Sequence, residues 1–187
     1  YSSVAQYGLV VAGFALVNQT AFVGGTVHLL GHAVMKGGLF AAAGVIAIKT
    51  GARTVDEYAD LATDAPVASG AFAVLALALV GVPPAVGFVG KWYIAIGAVQ
   101  AGAWPLAVII LLSTLLTLAY FARVIERMYF GATEPSAGTT VADGGRPTRS
   151  ATLAIAVGAA IAAVVMGLLA TGFVQLLQPT IEALFAI

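Results

Sequence analysis

Long apolar runs alternate with short polar interruptions along this chain, and the run lengths set the first expectation. Residues 3–17, 25–48 and 151–176 are almost unbroken apolar stretches. About 20 helical residues at 1.5 Å each cross a hydrocarbon core roughly 30 Å thick, so each run predicts a transmembrane helix. A further run over 105–129 follows Pro105, which a helix accepts in its first turn because the missing N–H has no helical partner there. Trp104 stands at its start as a headgroup anchor. The remaining stretch, 69–101, is too long for one straight span and is interrupted by GVPPAVGFVG. Pro83 and Pro84 remove backbone donors while Gly81, Gly87 and Gly90 relax the chain, which predicts a break over 82–87.

Two arrangements fit that stretch: one discontinuous span, or two separate short helices. A single crossing puts Lys49, Arg53, Arg123, Arg127, Arg146 and Arg149 on one side, whereas two crossings split them two against four. The positive-inside rule favours the single crossing and makes the charged side cytoplasmic. The expected fold is therefore all-α, a polytopic transmembrane bundle of spans 1–18, 25–48, 69–101, 105–129 and a last one from 151. Loops 49–68 and 123–150 are then cytoplasmic, and the C-terminus lies outside. Arg123 is expected to face inward more than Arg127.

The polar segments are less informative. In TGARTVDEYADLATDAP, Thr54 and Glu57 stand at capping-box spacing, and Val55, Tyr58 and Leu61 share one face, which predicts a short interfacial helix. Its acids, Asp56, Glu57, Asp60 and Asp64, read as a solvated face or as a docking surface for a partner. Residues 131–150 are small, polar and rich in Gly and Pro, predicting a mobile loop without chemistry, with 151–187 forming a final transmembrane helix and tail.

Composition agrees with a membrane protein: 61% of the 187 residues are hydrophobic and 9% charged, with a mean hydropathy of +1.03. The absence of cysteine excludes disulfides and thiolate metal sites, and a net charge of zero gives no field for nucleic acid. Because the sequence opens on Tyr1 within a spanning run, it is expected to be the C-terminal part of a longer protein.

Against this background the ionisable groups in the apolar runs stand out. His28, His32 and Lys36 recur every four residues, forming a row about 12 Å long on one helix face. An ammonium at mid-membrane costs about 2.5–3.5 kcal/mol, so Lys36 needs a partner or a wet cavity. Lys91 follows the predicted break, where unwound backbone is tolerated only inside protein or along water. Desolvation can lower a lysine pKa by about 3–5 units, and histidine can accept on one ring nitrogen while donating from the other. These residues thus suit a proton relay of Lys36, His32, His28 and Lys91, with Gly81, Pro83, Pro84 and Gly87 shaping the broken helix.

Plainer roles compete with that one. Membrane histidines often bond neighbouring helices. An i, i+4 pair suits a metal, but no acid or cysteine lies nearby to complete a site. Lys91 can serve as counter-ion to a helix C-terminus. Ser2, Ser3, Gln6, Ser113, Thr114 and Thr117 either hydrate a path or simply pack helices. No phosphate loop, dinucleotide fingerprint or nucleophile-base pair is visible, so no catalytic residue, metal or cofactor is expected.

YSSVAQYG, HLLGHAVMKGGLFAAAG and GVPPAVGFVGKWYIAIGA, in this order, resemble the C-terminal half of the proton-conducting antiporter-like membrane subunits. That superfamily includes the large membrane subunits of respiratory complex I and the D-type subunits of Mrp cation/proton antiporters. The resemblance covers the chain to about residue 130 and rests on hydropathy beyond it. It implies a fold of about fourteen helices in two inverted repeats, of which this chain would hold most of the second, with 69–101 as its broken helix. It also implies that Lys36 and Lys91 are the central and terminal lysines of a proton path, and that His28 and His32 precede the first. The first repeat's glutamate and lysine have no counterpart here. GVPPAVGFVGKWY resembles the complex I N-type and Mrp D-type subunits more than the L-type, and RVIERMYF leans the comparison slightly toward the D-type. Expected partners are other membrane subunits, the lipid bilayer and protons, with Na⁺ or K⁺ as further candidates, and no nucleic acid. The rival expectation is a structural subunit whose lysines only form ion pairs.

Overall fold

The computed structural model describes residues 2–51, 54–59, 61–131 and 146–185, without the side chains of Asp56 and 146–149. Its elements are α1 (Ser2–Ala15), α2 (Gln19–Thr50), a 3₁₀ turn (Asp56–Tyr58), α3 (Leu61–Asp64), α4 (Pro66–Val80), α5 (Val86–Gln100), α6 (Trp104–Phe130), α7 (Arg146–Leu168) and α8 (Ala170–Phe185). No strand occurs among the described residues. Gln19–Thr50, Trp104–Phe130 and Ser150–Leu168 are each long and apolar enough to cross a membrane.

Helix α2 is the axis of the bundle. It starts at Gln19, six residues before the expected 25, because Asn18 caps it by accepting a bond from the Ala21 N–H at 3.1 Å. Hydropathy marks where lipid begins, whereas the cap marks where the helix begins. At the other end Gly51, with φ 76°, closes the helix in the left-handed conformation.

Glycine lets the neighbours approach α2 closely. A Cβ at Gly24 would lie 2.6 Å from the Ile94 nitrogen, one at Gly31 2.8 Å from Val86, and one at Gly38 2.8 Å from Leu75. These three glycines recur every seven residues and form one stripe, the small-residue device by which membrane helices pack without a hydrophobic driving force between them. The contacts also order the partners. Leu75 of α4 meets Gly38, then Val86, Gly90 and Gly97 of α5 meet Gly31, His28 and Ala21 in turn. Helices α4 and α5 therefore follow one another along α2, both antiparallel to it.

Between them the chain turns at Gly81 (φ 97°) and passes through Val82–Ala85. A side chain on Gly87 would collide with the Ala78 carbonyl, so the first turn of α5 lies beside the last turn of α4. Gly167 of α7 rests in the same way on the backbone of Pro84, Ala85 and Val86.

One end of the bundle gathers the ends of α2 and α6 with the start of α7. Lys49 Nζ donates to the Asp64 carbonyl, and Gly131 lies against Ala59. The expected interfacial helix is one 3₁₀ turn plus four-residue α3, with the Thr54 N–H donating to Glu57 Oε2 at 3.3 Å, half of a capping box. Arg123 is exposed and Arg127 half-buried, the reverse of the expectation.

The last segment also differs. Helix α7 begins at Arg146, inside the expected loop 131–150, of which 132–145 fall outside the described residues. Where a tail follows the last span in the expected plan, hydrogen bonds carry the helix across Leu169, and α8 runs to Phe185. Its apolar face explains this: Val174 and Ile181 are buried, and the Phe185 ring sits 5.9 Å from that of Phe22 at the start of α2.

Candidate functional site: a histidine and lysine cluster along α2

Four-residue steps on a helix turn about 40° around the axis, so the His28 row cannot stay on one face. His28 is fully buried and His32 is 2% exposed. Lys36 is half-buried, and Phe40, one step further, is 68% exposed. The row winds from the core to the outer surface.

Helix α1 holds the buried end. Gln6, itself 1% exposed, places Oε1 2.8 Å from His28 Nε2. Next to it Tyr7 sets its ring edge-on to His32 at 5.3 Å. The two imidazoles lie 6.3 Å apart with planes 21° from parallel. Nδ1 of each is buried without a hydrogen-bond partner among the described residues. On the opposite side Gly90 of α5 supplies the room, because a Cβ there would come within 2.7 Å of His28 Cβ. Lys36 Nζ stands 5.4 Å from the Phe40 ring centroid, a cation–π contact.

Lys91 is 6% exposed and reaches back across the break, Nζ donating to the carbonyls of Leu79 and Val80, each at 2.9 Å. These are among the last carbonyls of α4, which lack partners inside the helix and carry the negative end of its dipole. Because Gly81 swings the chain aside, an ammonium from the next helix can occupy that position. Gly90, the residue before Lys91, packs against His28, which sets Lys91 near the buried end of the row.

The structure thus brings His28, His32, Gln6 and Lys91 together around α2 and the α4–α5 break, with Lys36 at the outer end of the row. Gly81 and Gly87 shape the break and are half-buried and buried, while Pro83 and Pro84 are exposed. Among the described residues, the remaining polar candidates are not hydrogen-bonded to the cluster. Ser3 is half-buried on α1, and its neighbour Ser2 accepts from the Tyr120 hydroxyl at 3.0 Å. Thr117 donates back to the Ser113 carbonyl within α6 at 2.7 Å. Tyr7, Phe40 and the Leu79 and Val80 carbonyls belong to the site without having been singled out; only Phe40, four residues beyond Lys36, continues a spacing visible in the sequence. Among the described residues no three His, Cys, Asp or Glu converge as a metal site.

A family model described as NADH:quinone oxidoreductase/Mrp antiporter, TM, matches residues 1–117. The chain belongs to this family. It is 45% identical to NADH-quinone oxidoreductase subunit N of Desulforudis audaxviator, over 73% of this chain and 28% of that protein. It is 38% identical to F(420)H(2) dehydrogenase subunit N of Methanosarcina mazei, over 70% of this chain and 28% of that protein. The family member described here thus spans less than a third of these relatives' length. Among solved structures, a chain of the Mrp complex from Dietzia sp. superposes with a TM-score of 0.86 at 24% identity, covering 98% of this chain and 41% of that one. A chain of respiratory complex I from Thermus thermophilus with bound NADH gives 0.82 at 26%, covering all of this chain and 38% of that one. The resemblance to antiporter-like membrane subunits is therefore correct for family and fold. Its lean toward the Mrp D-type finds no specific support, since these curated relatives carry the name of subunit N.

Proposed function

We propose that this chain is the proton-conducting second half of a membrane subunit in a complex I-type or Mrp-type assembly. In this reading α4 and α5 are two halves of one broken span, as their end-to-end order along α2 supports. The charged end, with Lys49 and Arg127, faces the cytoplasm and the C-terminus the other side. Protons enter from the cytoplasm, load Lys36, and pass by His32, His28 and water to Lys91. Other membrane subunits of the assembly supply the charge movement that drives the cycle.

The observation that carries this reading is the Lys91 clasp. An ammonium has three donors, and two are spent on Leu79 and Val80. Its third can face the relay. A neutral amine keeps two donors, so Lys91 can hold both carbonyls in either state while its lone pair receives the next proton. The clasp is thus compatible with repeated loading.

The same two bonds favour a second reading, in which Lys91 only ties the halves of the broken span together. Lys91→Arg separates the two in the full-length assembly. Arginine keeps charge and donors but does not deprotonate in proteins. Loss of proton uptake with intact assembly supports the relay; wild-type uptake supports the tie.

A further inference from the structure

Gln6 and His28 form a buried side-chain pair between α1 and α2, with 2.8 Å from Gln6 Oε1 to His28 Nε2. We infer that Gln6 is a positioning residue that fixes His28 as the Nε2–H tautomer, leaving Nδ1 as the one ring nitrogen able to accept a proton. The inference deepens the relay reading above and rests on it for its functional meaning, while the tautomer itself stands on geometry.

A neutral imidazole carries one N–H and one lone pair, and a single fixed partner decides which nitrogen has which. An amide oxygen can only accept, so the nitrogen facing it must carry the hydrogen. The opposite amide orientation would present an NH₂ to Nε2 and force the ring proton onto Nδ1. That atom is buried without an acceptor among the described residues, so the opposite orientation strands an N–H where the first leaves only a lone pair. Burial prevents bulk water from erasing the preference, since Gln6 is 1% exposed and His28 fully buried. Gly90 presses its backbone against His28 from the far side, leaving little freedom for the ring to leave its partner.

A consequence follows for proton traffic. With Nε2–H engaged by Gln6, this ring takes a proton only through Nδ1, and releasing one from Nε2 requires the Gln6 bond to break. Gln6 therefore acts as a latch on the direction of transfer through His28. Tyr7, the next residue of α1, meets His32 edge-on, at 5.3 Å between ring centroids, a contact that imposes no such choice.

The test uses the full-length subunit in its assembly, labelled with ¹⁵N-histidine, with His28 assigned by the signal lost in His28→Asn. Solid-state spectra of the wild type are expected to show a protonated Nε2 and a bare Nδ1 for the neutral ring. Gln6→Met keeps the volume but removes the acceptor and is expected to give both tautomers. A protonated Nδ1 in the wild type, or an unchanged tautomer in Gln6→Met, overturns the inference. The wild-type spectrum decides even if the variants do not assemble. The expected spectra together with wild-type proton uptake in Gln6→Met would still support the tautomer and count against the relay alone.

Discussion

Lys36 and Lys91 are both cations within the apolar part of the bundle, yet the fold treats them differently. Lys91 is 6% exposed and fixed by two backbone carbonyls of the preceding helix. Lys36 is half-buried at the outer end of a winding row, and its contact is the Phe40 ring. The fold therefore fixes the position of Lys91, whereas the position of Lys36 rests on the rotamer of a long flexible stem. A fixed group suits a relay station whose lone pair must always face the same way. A mobile one suits loading, where the head must meet protons arriving from outside the cluster.

That contrast can be broken most severely by Lys91→Leu. Proton uptake by the reconstituted assembly should fall to background, and the unfolding free energy should drop by about 1–3 kcal/mol as the α4 carbonyls lose their partner. Thermal unfolding in detergent reads the second effect. Lys36→Met should abolish uptake as completely yet leave thermal stability unchanged, because among the described residues no backbone group is hydrogen-bonded to that ammonium. Equal stability losses in the two variants would remove the distinction between a clasped and an unclasped lysine.

Gly90→Ala sharpens the picture from the side of packing. Its methyl would meet His28 Cβ at 2.7 Å, whereas nothing lies within 4 Å of a Cβ at Gly37. The first should destabilise the protein by about 1–3 kcal/mol through overpacking and slow uptake by displacing His28. Gly37→Ala should instead be neutral or stabilise by about 0.5–1 kcal/mol, because alanine is the better helix former. Among the relay residues His32→Ala is expected to have the smallest effect, a partial slowing of uptake in the same proteoliposome assay, since water can fill the space of the ring. Complete loss there would show that the imidazole itself is indispensable.

The sequence disclosed what depends on local chemistry. The double proline flanked by glycines points to an interruption near 82–87, and the chain leaves the helix over 81–85, while four-residue spacing puts His28, His32 and Lys36 on neighbouring turns. The apolar run over 105–129 lies within one residue of α6 at either end. What stayed hidden depends on partners distant in the chain. Nothing local to Lys91 names Leu79 and Val80 as its acceptors, because the bond exists only once the start of α5 is set beside the end of α4. Gln6 could be noticed as polar, but its pairing with His28 needs the α1–α2 hairpin. A hydropathy profile misplaces the start of α2 because it ignores the Asn18 cap, and it overlooks α8 because Gln175, Gln178 and Pro179 lower the hydropathy of a helix whose Val174 and Ile181 are buried. The winding of the row was legible in principle, as it follows from the helix pitch alone.

The central claim is that Lys91 passes on a proton while its clasp stays closed, and proton uptake by full-length Lys91→Arg in proteoliposomes tests it most directly. The account predicts an assembled, thermally stable complex with no uptake above background. Uptake at the wild-type rate from that variant would contradict it and leave Lys91 as a tie between α4 and α5.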